Sequence, residues 1–123
     1  MTKIMVIDDD EDFTNLYKAA LIAAGFDTIT VNQSPVAIEM AYLVKPDIFF
    51  VDLMMPDIDG FQLCRMIRKD PVLKHLPIMI VTALTDEDSK EVALGAGAND
   101  YLTKPFTIDA LKSRIHALVE AGK

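Results

Sequence analysis

Two apolar runs in this sequence end in carboxylates. Ile4-Met5-Val6-Ile7 runs into Asp8-Asp9-Asp10, and Ile48-Phe49-Phe50-Val51 runs into Asp52. If both runs are buried strands of one sheet, their acids gather at one edge of it. Such a cluster repels itself unless a cation or a cationic side chain sits among the carboxylates. Two more runs end in groups that complement acids: Ile78-Met79-Ile80-Val81 in Thr82-Ala83, and Asp100-Tyr101-Leu102-Thr103 in Lys104-Pro105. The set is hard and oxygen-rich. It suits Mg2+, which takes about six oxygens and is often held by only one or two carboxylates. Calcium would want a denser ligand loop, and no EF-hand pattern is present. Zinc is disfavoured, because His75 and His116 lie at no strand end and Cys64 stands alone. With Mg2+ and Lys104 offsetting the negative charge, one carboxylate can approach a phosphoryl group as a nucleophile and form an acyl phosphate. Thr82 can donate a hydrogen bond to the bound phosphate, and Lys104 can pair with another of its oxygens.

These residues must be delivered by a scaffold, and the sequence patterning supplies one. Strand-length apolar runs alternate with helical patterns along the chain. Strands are expected at Lys3 to Ile7, Asp27 to Val31, Ile48 to Val51, Ile78 to Val81 and Asp100 to Thr103. A helix from Asp12 to Ala24 should bury Phe13, Leu16, Tyr17, Ala20, Leu21 and Ala24, and Gly25 should stop it. Ser34 is the expected N-cap of a second helix, with Pro35 at its first position. That helix ends near Val44, ahead of Pro46. Further helices are expected from Gly60 to Lys69, from Asp86 to Leu94, and from a Thr107 cap to about Glu120. The last of these buries Ile108, Leu111, Ile115, Leu118 and Val119. Strands and helices in alternation, five of each, imply an α/β fold: a parallel sheet with helices on both faces. In such sheets ligands bind beyond the carboxyl ends of the strands. Asp10 or Glu11 is read as the cap of the first helix. Asp57 and Asp59 are read as serving the Pro56–Gly60 turn and the cap that follows it.

The bulk numbers narrow the functional classes. The 123 residues fit one domain, taken as 1–123, and 51% hydrophobic with 25% charged residues is a globular composition. The net charge of -7 argues against direct nucleic-acid binding, which rests on Lys and Arg meeting phosphates. The single cysteine allows no internal disulfide, and Cys64 reads as a small packed side chain rather than a reactive thiol. No apolar stretch reaches membrane-spanning length and no signal-peptide pattern is present, so the cytoplasm is the expected compartment and no membrane partner is expected.

Taken in order and at their spacing, Val6-Ile7-Asp8-Asp9, Asp52-Leu53-Met54-Met55-Pro56-Asp57-Ile58-Asp59-Gly60, Val81-Thr82-Ala83 and Asp100-Tyr101-Leu102-Thr103-Lys104-Pro105-Phe106 resemble the receiver domain of two-component response regulators. The resemblance covers essentially the whole chain. It implies a doubly wound, flavodoxin-like sheet in the order 2-1-3-4-5. It implies that Asp52 is the phosphoacceptor, that Asp9 binds Mg2+ directly with Asp8 as its acidic neighbour, and that the backbone carbonyl of Met54 is the third protein ligand. Thr82 and Lys104 match the pair that contacts the phosphoryl group. Tyr101 matches the aromatic switch that turns inward as the threonine moves. The Lys104–Pro105 bond resembles one that is cis in the family. The implied phosphodonor is a sensor histidine kinase or a phosphotransfer domain, and the implied readout is the surface of the fourth helix, fifth strand and fifth helix. Asp100 and Arg114 match two salt-bridge partners of dimers that use this surface, whereas Ala110 stands where those proteins usually carry an acid. A homodimer through it is thus an incomplete match. Met54 and Leu84 occupy two positions that bear on phosphate lifetime; both are apolar, which implies slow hydrolysis.

Three rival readings fit parts of the sequence. The Ile4-to-Asp10 segment also resembles the start of haloacid-dehalogenase-type phosphatases, with Asp8 as nucleophile and Asp10 as acid/base. Against that stand Asp12 where Thr or Val is usual, the lack of a late acidic pair, and the short chain. A flavodoxin-like cofactor binder needs a phosphate-cradling loop after the first strand, and here that loop is acidic. A receiver-like docking domain without phosphorylation is a third reading. The sequence as given shows no output module, so it fits either a free-standing receiver or the first part of a longer regulator.

Overall fold

A computed structural model describes residues 1–121; Gly122 and Lys123 lie outside the described residues. The strands are β1 (Lys3–Ile7), β2 (Asp27–Val31), β3 (Ile48–Val51), β4 (Ile78–Thr82) and β5 (Asp100–Thr103). The helices are α1 (Glu11–Ala23), α2 (Ala37–Val44), α3 (Gly60–Lys69), α4 (Glu87–Gly95) and α5 (Ile108–Ala121). All strands pair in parallel, in the order β2-β1-β3-β4-β5.

Helices cover both faces of the sheet, which is why its central strands are apolar without alternation. Every residue of β3 and β4 is buried. Successive side chains still point to opposite faces. Met5, Ile7, Phe49, Val51, Ile78 and Ile80 meet Leu63, Ile67 and Ala93 on the face of α2, α3 and α4. Ile4, Val6, Ile48, Phe50, Met79 and Val81 meet Tyr17, Leu21, Leu111 and Ile115 on the face of α1 and α5. Truncating a fully buried aromatic such as Phe49 or Phe50 to Ala would cost about 3–5 kcal/mol.

The register aligns the strand ends. Ile7 pairs with Val51, so the residues that follow, Asp8 and Asp52, leave adjacent strands side by side. Thr82 pairs with Thr103, and the Lys104 N–H donates to the Thr82 carbonyl at 2.8 Å.

Two local expectations are corrected. Leu16 does not join the buried stripe of α1; it is 72% exposed, whereas Thr14 is buried. Thr14 can be buried because its hydroxyl donates to the Glu11 carbonyl and accepts from the Asn32 side-chain amide. Ser34 is not an N-cap. It opens a short 3-10 turn, Ser34–Val36, that leads into α2, and its hydroxyl donates to the Pro56 carbonyl across the rim of the strand ends. The α2 helix ends at Val44 as expected, but the chain leaves through a left-handed Lys45 at φ 54°. The expected caps at Asp10, Asp59 and Thr107 all accept backbone N–H groups; Asp86, expected as the first residue of the fourth helix, instead caps it and accepts the Ser89 N–H.

One arginine fastens the far end of the sheet. Arg68 Nε donates to Gly97 O at 2.9 Å, Nη1 to Lys74 O at 2.8 Å and Leu76 O at 2.7 Å, and Nη2 to Asn99 Oδ1 at 2.8 Å. Its fork thus joins the end of α3 to the segments that precede β4 and β5. A lysine at this position cannot supply four directed donors. Arg68→Lys is expected to cost about 2–3 kcal/mol, read as a lower urea midpoint with an unchanged slope.

Candidate functional site

The carboxyl end of the sheet collects side chains from four strands. One oxygen each of Asp8, Asp9 and Asp52 fall within 4.8 Å of one another, the cluster of metal-ligating type found among the described residues. The Asp8 N–H donates to Val31 O and the Asp52 N–H to Ile7 O, so the backbone of both acids is locked to neighbouring strands. Asp8 is nearly enclosed, at 3% exposure, whereas Asp9 is open to solvent. Burial holds the Asp8 carboxyl above its usual range and the Asp52 charge adds to this. Hydrogen bonds from Lys104 and the Asp10 N–H pull the other way.

Lys104 supplies the counter-charge. Its Nζ lies 2.7 Å from Asp8 Oδ2 and 3.4 Å from Asp52 Oδ2. It also sits 3.9 Å above the centre of the Phe13 ring. The Lys104–Pro105 peptide is cis. A single ammonium does not neutralise three carboxylates, so the site favours a further cation. The donors are carboxylates alone, with no histidine or thiol among them, and such a set fits Mg2+. Cys64 is far from this chemistry in character: it is fully buried, and burial pushes its thiol up to about 11.

The loop after β3 is shaped around Asp52. The Met54 N–H approaches Asp52 Oδ1 at 3.4 Å, and the Met54 side chain points outward at 64% exposure. Asp57 takes the left-handed conformation at φ 69°. Asp59 and Gln62 close a capping box at the start of α3. Gly60 donates its N–H to Leu53 O at 3.0 Å. A Cβ on Gly60 would lie 2.3 Å from the Asp52 carbonyl oxygen and 2.7 Å from Leu53 Cα. Only glycine lets α3 start this close to Asp52.

Thr82 ends β4 at the same edge, with 1% exposure. Tyr101 lies one strand further out. Its ring is buried and its hydroxyl donates to the Leu84 carbonyl at 2.8 Å, joining β5 to the loop after β4. Asp100 and Arg114 meet each other at 2.7 Å within the one chain, and Arg114 also donates to Tyr101 O. Asp10 is occupied as the N-cap of α1, accepting from the Phe13 N–H at 3.0 Å, which leaves it poorly suited to the acid/base role of a phosphatase.

Sequence reasoning assigned Phe13 to the hydrophobic stripe of α1 and missed its place beneath Lys104. It also missed Asn32, whose amide donates to the Asp8 carbonyl at 2.8 Å, and the steric demand at Gly60. The Phe13 contact joins residues far apart in the chain and leaves no local mark. The Asp59-Gly60 pair ahead of a helical pattern was a usable signal for the third.

Residues 4–116 match the family model described as the response regulator receiver domain. Among curated relatives, the chain is 38% identical over 116 residues to the response regulator PleD of Caulobacter vibrioides, covering 94% of this chain and 26% of that protein. It is 35% identical over 121 residues to the alkaline phosphatase synthesis transcriptional regulatory protein PhoP of Bacillus subtilis, covering 98% of this chain and 50% of that one. Among solved structures, it superposes on the receiver domain of Francisella response regulator 1452 with a TM-score of 0.90 at 32% identity, over 100% of both chains. A two-component response regulator from Clostridium difficile gives a TM-score of 0.90 at 30% identity, covering 98% of this chain and 97% of that one. The chain spans 26% and 50% of the length of the two curated relatives.

Proposed function

Because this chain belongs to the response regulator receiver domain family, we propose that it accepts a phosphoryl group on Asp52 from the phosphohistidine of a sensor kinase or phosphotransfer domain. The observation that carries this reading is the Lys104 ammonium lying within reach of both Asp8 and Asp52, beside the only acidic cluster of its kind among the described residues. An Asp52 oxygen attacks phosphorus, the bond to the donor's imidazole nitrogen breaks, and the electron pair leaves with the imidazole. The product is an aspartyl phosphate. Asp8, Asp9, Asp52 and the Met54 backbone carbonyl would hold Mg2+, which supplies positive charge to the transferring phosphoryl oxygens. Lys104 pairs with one phosphoryl oxygen and orients it. The Thr82 hydroxyl donates to another. Asp8, the most deeply buried of the acids, keeps Lys104 positioned at the site between turnovers.

The signal leaves through the neighbouring elements. Thr82 leads into the loop that carries Leu84, and the Leu84 carbonyl accepts the Tyr101 hydroxyl; in this reading a shift of Thr82 toward phosphate moves that loop and changes the surface of α4, β5 and α5. A homodimer through that surface has to share or exchange the Asp100–Arg114 pair, since each already has its partner within the chain. We place the domain in the cytoplasm on its family membership, and its net charge of -7 supports no direct role in nucleic-acid binding; no helix among the described residues is long and apolar enough to cross a membrane.

The test is incubation with a small phosphodonor such as acetyl phosphate, followed by intact-protein mass spectrometry. A single phosphoryl adduct is expected with Mg2+ and none with a chelator. An adduct that forms equally well in chelator contradicts the reading.

The phosphate should be long-lived. Neither Met54 nor Leu84 can hydrogen-bond an attacking water. Met54→Asn and Leu84→Glu are each expected to hasten decay, as one orienting hydrogen bond of about 1 kcal/mol corresponds to roughly fivefold in rate. Decay of the purified phosphoprotein in Mg2+ buffer measures this, and equal or slower decay in the polar variants refutes it.

A further inference from the structure

Lys104 is held from three sides, and the third is aromatic. Beyond Asp8 and Asp52, its ammonium faces the Phe13 ring at 3.9 Å. The lysine side chain is 15% exposed, so little water competes for the charge. The ring is itself pinned. Tyr17 meets it edge-on at 4.6 Å and 86°, and Phe106 at 6.4 Å and 87°. Tyr17 in turn stacks on Phe106 at 4.8 Å. Phe106 follows Lys104 by two residues, so one aromatic cluster grips the lysine's head group and the chain just after it. The ammonium is closer to Asp8 than to Asp52. Phe13 sits on α1, the helix that follows Asp8 and Asp9, and adds its pull on that side.

The same Asp8 carboxylate belongs to the cluster suited to a divalent cation. Two cations then draw on one set of oxygens and repel each other. Whatever strengthens the hold on the ammonium weakens the hold on the metal, by the reciprocity of linked binding. We propose that Phe13 is a positioning residue that fixes the Lys104 ammonium against Asp8 and thereby lowers the affinity of the acidic cluster for Mg2+. The residue at position 13 thus sets the Mg2+ concentration at which the receiver becomes competent. This rests on the reading that Asp8, Asp9 and Asp52 take Mg2+.

Calorimetric titration of Mg2+ into the unphosphorylated protein tests it, with Phe13→Leu, Phe13→Tyr, Lys104→Ala and the Phe13→Leu/Lys104→Ala double variant. Phe13→Leu is expected to bind Mg2+ about three- to tenfold more tightly, the range a partly desolvated cation–π contact supports. Phe13→Tyr keeps the ring and should match the wild type. In the Lys104→Ala background, Phe13→Leu should change nothing further, because the ring then has no ammonium to hold. Proton NMR gives an independent reading: the Lys104 ε-methylene resonance, shielded by the ring, should move downfield in Phe13→Leu. Unchanged or weaker Mg2+ binding in Phe13→Leu overturns the proposal. So does a gain of equal size in the Lys104→Ala background. A wild type that shows no Mg2+ binding overturns the underlying metal reading, and the proposal with it.

Discussion

Asp52→Asn should abolish the phosphoryl adduct while making the fold more stable. The amide has the carboxylate's shape but is not a nucleophile at neutral pH, so labelling should fall by at least about a thousandfold. Stability should move the other way. Asp52 shares its edge with the deeply buried Asp8 and with Asp9, and a single lysine partly offsets their charge. Removing one negative charge loses the 3.4 Å contact to Lys104 but relieves two repulsions and leaves the tighter 2.7 Å pair with Asp8 in place. A net gain of about 1 kcal/mol is expected, seen as a rise in Tm of roughly 4 °C in chelator. Mg2+ should narrow the gap, since a ligand of the native state stabilises the protein that binds it better. An Asp52→Asn protein that melts lower than wild type would mean that repulsion among the acids is not what the site relieves by taking a cation.

Gly60→Ala should be the most damaging single-methyl change in the loop around Asp52. The added Cβ would sit 2.3 Å from the Asp52 carbonyl oxygen, 2.7 Å from Leu53 Cα and 2.9 Å from the Asp52 carbonyl carbon. All three are backbone atoms, with no flexible side chain to swing away. Either α3 or the end of β3 must shift by about an ångström. Overpacking of this kind costs about 3 kcal/mol, more than the gain of at most about 1 kcal/mol that alanine brings to a helix. Because the displaced residue is the proposed nucleophile, labelling should slow by roughly a hundredfold even below the melting transition. Urea unfolding and the rate of adduct formation measure the two effects separately. Wild-type values in both would show that the Gly60 approach does not constrain Asp52.

Much of the scaffold was readable because a parallel sheet buried on both faces demands uninterrupted apolar runs. Ile48-Phe49-Phe50-Val51 and Ile78 to Val81 can be little else. The acids, Thr82 and Lys104 stood out because each follows such a run. The strand order was a different matter. Which parallel strands are neighbours depends on long crossovers and leaves no local trace, so 2-1-3-4-5 came only with the family resemblance. Helical faces were blurred at their margins. Leu16 lies at the edge of the α1 stripe and faces solvent, while Thr14 goes inside because Asn32 and Glu11 satisfy its hydroxyl. Ser34 has the right type and neighbour for a cap, yet its hydroxyl is claimed by Pro56. Phe13 was hidden for the same reason as the strand order: its contact with Lys104 exists only after β1 and β5 are brought to one edge.

At that edge the roles separate by burial and by partner. Asp8 is enclosed and paired with Lys104, Asp9 is open to solvent, and Asp52, of intermediate exposure, follows the neighbouring strand. Asp10, Asp57 and Asp59 serve caps and turns. The most direct test is therefore where the phosphoryl group lands. The protein is labelled with acetyl phosphate and Mg2+, reduced with borohydride to convert an aspartyl phosphate to homoserine, and sequenced by peptide mass spectrometry. Homoserine at position 52 alone is the expected result; homoserine at position 8 or 9 with Asp52 intact would contradict it.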